Sequence, residues 1–207
     1  MERRVQILTQ TEVKRALMRL SYEIIEKSED LDKVVLAGIH TRGIPISEIL
    51  RDNIEKNTGK RLPLCTLDIT FYRDDLSKKR EIPEVKGSLF PVDINGKEVI
   101  ICDDVLYTGR TCRAAIDSIF AKGRPKRISL CVLIDRGHRE LPIRPDYVGK
   151  NVPTSQKEVV KVNIESIDGK TDVEIIRKEG DQLSPLFKTH RELKNRIAYR
   201  FHRFHLR

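Results

Sequence analysis

Apolar and polar positions alternate along this chain with two different periods. From Thr11 to Glu26, the residues Val13, Ala16, Leu17, Leu20, Ile24 and Ile25 recur at three- and four-residue intervals, which predicts an amphipathic helix capped by Thr11. Val34-Val35-Leu36-Ala37-Gly38-Ile39 is instead a continuous apolar run, as expected for a parallel strand buried on both faces. Ile44 to Asn57 reads as a second helix with Pro45 in its first turn, where a missing N–H costs nothing. Leu64 to Phe71 predicts a strand, and Arg73 to Lys86 a polar, flexible loop. Glu98 to Cys102 and Ile128 to Ile134 are two further buried strands. Between them, Thr111 to Ala121 is a helix closed by Gly123 and Pro125. Val159 to Ile164 and Asp172 to Arg177 predict short strands late in the chain.

Strands that alternate with helices of about a dozen residues imply an α/β fold, a mostly parallel sheet with helices on both faces. In such sheets ligands lie beyond the carboxyl ends of the strands. The loops after Ile39, Cys102 and Ile134 are therefore expected to face one cleft. Residues 1–180 read as one domain, and residues 181–207 as a basic C-terminal extension, helical or disordered.

Composition narrows the partners. The 207 residues carry a net charge of +9, and 181–207 alone hold seven Lys/Arg against two Asp/Glu. A mildly basic body suits anionic partners, either phosphorylated small molecules or nucleic acid. No apolar run approaches the roughly 20 residues of a membrane helix, and no apolar stretch follows Arg3-Arg4, so a cytoplasmic protein with no membrane partner is expected. Cys65, Cys102, Cys112 and Cys131 are widely spaced, outside any CxxC pair, and predict buried structural thiols.

The chemistry concentrates in Val99-Ile100-Ile101-Cys102-Asp103-Asp104-Val105-Leu106-Tyr107-Thr108-Gly109-Arg110-Thr111. Apolar residues deliver two adjacent carboxylates to the sheet edge, and a turn with two hydroxyls and a glycine then opens a helix. Such a turn presents backbone N–H groups and the positive end of the helix dipole, a ready phosphate site. Asp103 and Asp104 repel phosphate; they suit sugar hydroxyls or a magnesium ion that keeps most of its water. A P-loop is excluded, because no Gly-Lys-Ser/Thr has the required spacing. Gly38-Ile39-His40-Thr41-Arg42-Gly43 is a second anion loop between strand and helix, with Arg42 offering a planar fork to phosphate oxygens. Asp68 to Lys79 carries Arg73, Lys78 and Lys79, cations suited to neutralise a departing anion beneath a closing loop. Asp135-Arg136-Gly137-His138-Arg139-Glu140-Leu141-Pro142-Ile143-Arg144-Pro145-Asp146-Tyr147-Val148-Gly149-Lys150 is too long and too charged for a simple connection and reads as a binding loop or hood.

The thirteen residues from Val99 to Thr111 resemble the 5-phosphoribosyl-1-pyrophosphate (PRPP) signature of the type I phosphoribosyltransferases. All four segments together are similar to one family in particular, the PyrR family of pyrimidine operon attenuation regulators that are also uracil phosphoribosyltransferases. The likeness runs from about Val5 to Arg177. It implies a type I phosphoribosyltransferase fold with a small hood, and conversion of uracil and PRPP to UMP and pyrophosphate with Mg2+. Asp103 and Asp104 then contact the ribose hydroxyls and reach the metal only through PRPP and water. Tyr107, Thr108, Gly109, Arg110 and Thr111 hold the 5-phosphate, Val105 and Leu106 also belong to the substrate site, Thr41 and Arg42 hold the pyrophosphate, and Arg73 assists catalysis. Arg136 and the backbone near Val148 and Val159 recognise the pyrimidine; no nucleophilic side chain is needed.

The resemblance also implies binding, dependent on UMP or UTP, to a hairpin in pyrimidine-operon mRNA by a homodimer or higher homo-oligomer. Arg139, Arg144, Lys150 and Tyr22 would face that RNA. Two features depart from the family pattern. Met18 and Tyr22 stand where a small hydroxyl and a His are usual, and the tail carries Leu193, Ile197, Phe201 and Phe204 among arginines. The tail is open to three readings: an RNA-binding arm, a helix docking on a partner subunit, or a basic tail without selected function. A salvage uracil phosphoribosyltransferase without RNA binding is the alternative reading of the whole chain.

Overall fold

The computed structural model describes residues 2–69 and 87–178. The segments carrying Arg73, Lys78, Lys79 and the 181–207 tail lie outside these residues. The elements run β1 (Glu2–Leu8), α1 (Gln10–Lys27), β2 (Val34–Ile39), α2 (Gly43–Thr58), β3 (Leu64–Leu67), β4 (Glu98–Leu106), α3 (Arg110–Phe120), β5 (Arg127–Asp135), β6 (Tyr147–Asn151), β7 (Glu158–Asn163), α4 (Glu165–Asp168) and β8 (Asp172–Lys178).

Five strands form a parallel sheet in the order β3-β2-β4-β5-β6. Its apolar runs divide by the two-residue period of a strand. Val34, Leu36, Ile100, Cys102, Cys131 and Leu133 face one side, where Val13, Leu17, Leu20 and Ile24 of α1 and Ile46, Leu50 and Ile54 of α2 cover them. Val35, Ala37, Val99, Ile101, Leu130 and Val132 face the other, against Cys112, Ala114, Ala115 and Ile119 of α3. Helices on both faces explain why the strands read as unbroken apolar runs. Truncating a core residue such as Leu20 to Ala would cost about 2–5 kcal/mol. A second, antiparallel sheet, β1-β8-β7, joins the first core through Ile7, Leu8, Val160, Val162 and Val173.

Several expectations need correction. The first helix is capped by Thr9, whose hydroxyl accepts from the Glu12 N–H while the Glu12 carboxylate accepts from the Thr9 N–H. This reciprocal box stabilises the helix start better than Thr11 could. β4 runs past its expected end at Cys102, through Asp103 and Asp104 to Leu106, so the acids stand on the strand itself. The segment expected as a hood splits in two: Tyr147–Asn151 pairs parallel with β5 as an edge strand of the main sheet, and only the stretch before it is a loop. β3 ends at Leu67; residues 70 and 71 of the expected strand lie outside the described residues. β1 and α4 are additions to the expected elements. All four cysteines are free and buried, and burial pushes the Cys65 thiol up to about 11 and Cys112 to about 12.

Candidate active site

The carboxyl ends of β2, β4 and β5 lie side by side at one edge of the parallel sheet. At the end of β2, Gly43 opens α2 against β4 so closely that a side-chain carbon there would run into the Cys102 carbonyl oxygen. Only glycine permits this approach, which brings the Thr41-Arg42 turn alongside Asp103 and Asp104. Thr41 Oγ1 lies 3.1 Å from His40 Nδ1, and the His40–Thr41 peptide is cis. Arg42 feels the field of Asp104 and makes a two-pronged ion pair with Asp168 of α4. Nε donates to Oδ2 at 3.1 Å and Nη2 to Oδ1 at 2.7 Å.

The acids themselves are half-buried. The Asp104 N–H donates to Asp103 Oδ1 at 2.9 Å, and the Val105 N–H to Asp104 Oδ1 at 2.8 Å. Burial lifts the Asp104 carboxyl above its ordinary range, against the opposing pull of Asp103, the Val105 N–H and Arg42. Desolvation disfavours the ionised form, so the site is built to receive a counterion or hydroxyl donors. Two adjacent carboxylates fit a magnesium ion that keeps most of its water. Among the described residues, no group of three or more His, Cys, Asp or Glu forms a metal cage.

Beyond Leu106 the chain turns through Tyr107 and Thr108 into α3. Gly109 holds the helix N-cap with φ +96 and, as a glycine, makes no side-chain cap of its own. The N–H groups and dipole at such a helix start favour an anion. Around the turn, the Thr108 carbonyl accepts from the N–H groups of Glu140 and Leu141, the Arg110 N–H donates to Thr108 Oγ1, and Arg110 Nε donates to Glu140 at 2.7 Å. Thr111 is half-buried in the first turn of α3.

The loop after β5 braces this turn. Arg136 is buried, donating from Nε to Thr154 Oγ1 and from Nη2 to the carbonyls of Ser155 and Glu158. Desolvation holds its pKa below the ordinary arginine value. Arg139 donates to the carbonyls of Tyr107, Gly137 and Ile143 and pairs with Asp135 at 2.6 Å. Both guanidiniums were expected to meet ligands, Arg136 the pyrimidine and Arg139 the RNA. In this structure Arg136 is held by acceptors of residues 154–158, and Arg139 by Asp135 and the carbonyls of Tyr107, Gly137 and Ile143. Arg144 is exposed and Lys150 half-buried. Tyr22 is exposed on α1 with its hydroxyl donating to Asn57 Oδ1 at 3.0 Å, and Met18 is exposed nearby on the same helix.

Val148 lies in β6, its carbonyl accepting from Arg19 Nη2 at 2.9 Å, whereas Val159 is exposed in β7 of the small sheet. Asp168 was not singled out by sequence; it sits before Gly169 in a four-residue helix that carries no readable period.

The comparisons with known proteins agree with this geometry. Residues 4–167 match the phosphoribosyl transferase domain. A bifunctional protein PyrR of Thermus aquaticus is 50% identical over 177 residues, 86% of this chain and 98% of the relative. One from Clostridium perfringens is 53% identical over 175 residues, 84% and 98%. Among solved structures, a hypoxanthine phosphoribosyltransferase from Staphylococcus aureus superposes with a TM-score of 0.62 at 19% identity, over 84% of this chain and 93% of that one. A hypoxanthine-guanine phosphoribosyltransferase from Bacillus anthracis gives 0.61 at 17%, over 82% and 95%. At such identities the solved structures speak to the fold alone.

Proposed function

The chain belongs to the phosphoribosyl transferase family, among its PyrR proteins, and on that premise we propose that it makes UMP and pyrophosphate from uracil and PRPP and regulates pyrimidine-operon transcription by binding mRNA. The observation that carries the enzymatic half is the run along β4 into α3. Two half-buried carboxylates stand a few residues before a helix that opens on a glycine N-cap, with Arg42 close enough to act on Asp104. That layout matches a ribose carrying a phosphate at one end and a pyrophosphate at the other.

In this reading Tyr107 to Thr111 hold the 5-phosphate with backbone N–H groups and hydroxyls. Asp103 and Asp104 accept from the ribose hydroxyls and offset the positive charge that develops on the sugar as the pyrophosphate bond breaks. Thr41 and Arg42 bind the leaving pyrophosphate, joined by Arg73 from the segment outside the described residues. Mg2+, when bound with PRPP, neutralises the pyrophosphate charge. Arg136 and Arg139 act as braces: they fix the carbonyls beneath Tyr107 and the 154–158 loop, whose backbone, with that of Val148 and Val159, frames the base. Positioning and electrostatics suffice, without a covalent intermediate.

For regulation, a homodimer or higher oligomer presents Arg144, Lys150 and Tyr22 to the phosphates and loop bases of a pyrimidine-operon hairpin, with UMP or UTP as effector. The test is hairpin affinity with and without uridine nucleotide. Tighter binding with nucleotide supports the bifunctional reading. No binding in either condition leaves a salvage uracil phosphoribosyltransferase.

A further inference from the structure

The Arg42–Asp168 pair links two parts of the molecule that the sequence keeps far apart. Arg42 closes the turn after β2, and Asp168 ends α4, between the two strands β7 and β8 of the small sheet. The Asp168 carboxylate is itself held, since its Oδ2 also accepts from the Ile164 N–H at 2.9 Å. Only 13% of its side chain is exposed, against 30% for Arg42. The contact is therefore anchored from the Asp168 side and more open from the Arg42 side.

A guanidinium has two edges that can each grip an anion with paired N–H groups. Asp168 takes the edge formed by Nε and Nη2. The other edge, Nη1 with the second Nη2 proton, has no protein partner among the described residues. A long side chain left to itself samples many rotamers, and binding must then order it at an entropic cost. A carboxylate fixed on one edge removes that freedom beforehand and aims the opposite edge.

We propose that Asp168 is a positioning residue for the pyrophosphate end of PRPP: it fixes Arg42 so that the unoccupied guanidinium edge faces the anion. The inference rests on the proposed reading of the cleft as a PRPP site. Asp168 does not touch the substrate; it acts through Arg42. Because α4 belongs to the small sheet, the pair also ties the position of that sheet to the anion loop. A base contact that shifts α4 would shift Arg42 as well.

The experiment measures Mg-PRPP binding by titration calorimetry, without uracil, for wild type, D168N, D168E, R42Q and R42Q/D168N. Steady-state kinetics are run beside it. Asp168→Asn keeps size and one acceptor but removes the charge that grips both N–H groups. The expected result is a roughly tenfold weaker Kd for D168N, with KM for PRPP rising in step and kcat little changed. D168E should recover most of the loss, and R42Q/D168N should bind no worse than R42Q. The last comparison keeps the test sharp if D168N is less stable, since damage to the fold would add to R42Q. Equal binding by wild type and D168N overturns the inference and leaves the PRPP reading standing. Tighter binding by D168N also overturns it, making Asp168 a competitor of the anion. A wild type that binds no Mg-PRPP removes the reading and the inference together.

Discussion

The Arg136 guanidinium carbon lies 4.0 Å from the centre of the Tyr107 ring. This contact joins the loop after β5 to the turn that opens α3, and it is reinforced from below, since the same guanidinium donates to Thr154, Ser155 and Glu158. His138 also meets Tyr107, its ring 6.0 Å away at 70°. The phosphate turn is thus seated on a buried cation.

Removing that cation takes three hydrogen bonds from partly buried or exposed acceptors and leaves a gap where the buried guanidinium packs against Tyr107. Hydrogen bonds to a charged donor contribute about 1.5–3 kcal/mol, so R136A should lose about 2–4 kcal/mol. By thermal melting this is a fall of about 5–15 °C for a chain of this size. R136K should fare little better, because an ammonium cannot spread three bonds and a planar stack. A melting point unchanged in R136A would contradict the brace.

Asp104 ties stability to catalysis with opposite signs. Its pKa is raised by burial, so the native state holds this proton more tightly than the unfolded chain does. The group's contribution is then fully present below the ordinary Asp value and is lost as pH rises through the native one. D104N carries no charge at any pH. Its melting point should exceed that of wild type at pH 7, and the gain should vanish near about pH 3, where the wild-type carboxyl is protonated too. UMP formation should fall by about a hundredfold or more, since the charge facing the developing sugar cation is gone. Normal turnover in D104N would contradict the ribose assignment.

Gly43 is a steric requirement. A methyl group there meets the Cys102 carbonyl, backbone against backbone, which no rotamer relieves. G43A should therefore push α2 away from β4 and cost about 1–3 kcal/mol. Mg-PRPP affinity should weaken with it, because Thr41 and Arg42 move away from Asp104. Calorimetry and melting together check this.

Much of the fold was legible because periodicity reports burial. β2, β4 and β5 are covered on both faces and read as unbroken apolar runs; α1, α2 and α3 are covered on one face and read with a helical period. β1 was not legible. Its sequence Glu2-Arg3-Arg4-Val5-Gln6-Ile7-Leu8 pairs with β8 across the whole domain, and no local pattern records a partner that distant. The carboxylates and the glycine turn of the site were legible because their chemistry is local. The partners of Arg136 and Arg139 were not, since Arg136 is held by residues 154–158 and Arg139 by Tyr107, some 18 and 32 positions away. Asp168 was invisible for a similar reason: its partner Arg42 lies 126 positions earlier.

Of the residues proposed to face RNA, Arg144 is an exposed and Lys150 a half-buried cation, whereas Arg139 is engaged by Asp135. In R144A/K150A, hairpin affinity should drop and the slope of log K against log salt should shrink by about 2, one for each phosphate that is no longer neutralised. UMP formation should stay at the wild-type rate, as it should in a chain cut after residue 180. An unchanged salt slope in the double variant would place the RNA elsewhere.

The most direct measurement of the central claim is product formation from PRPP and Mg2+ with uracil, run beside hypoxanthine and guanine. The expected products are UMP and pyrophosphate in equal amounts from uracil and no nucleotide from either purine. Nucleotide from a purine, or none from uracil, would contradict the assignment.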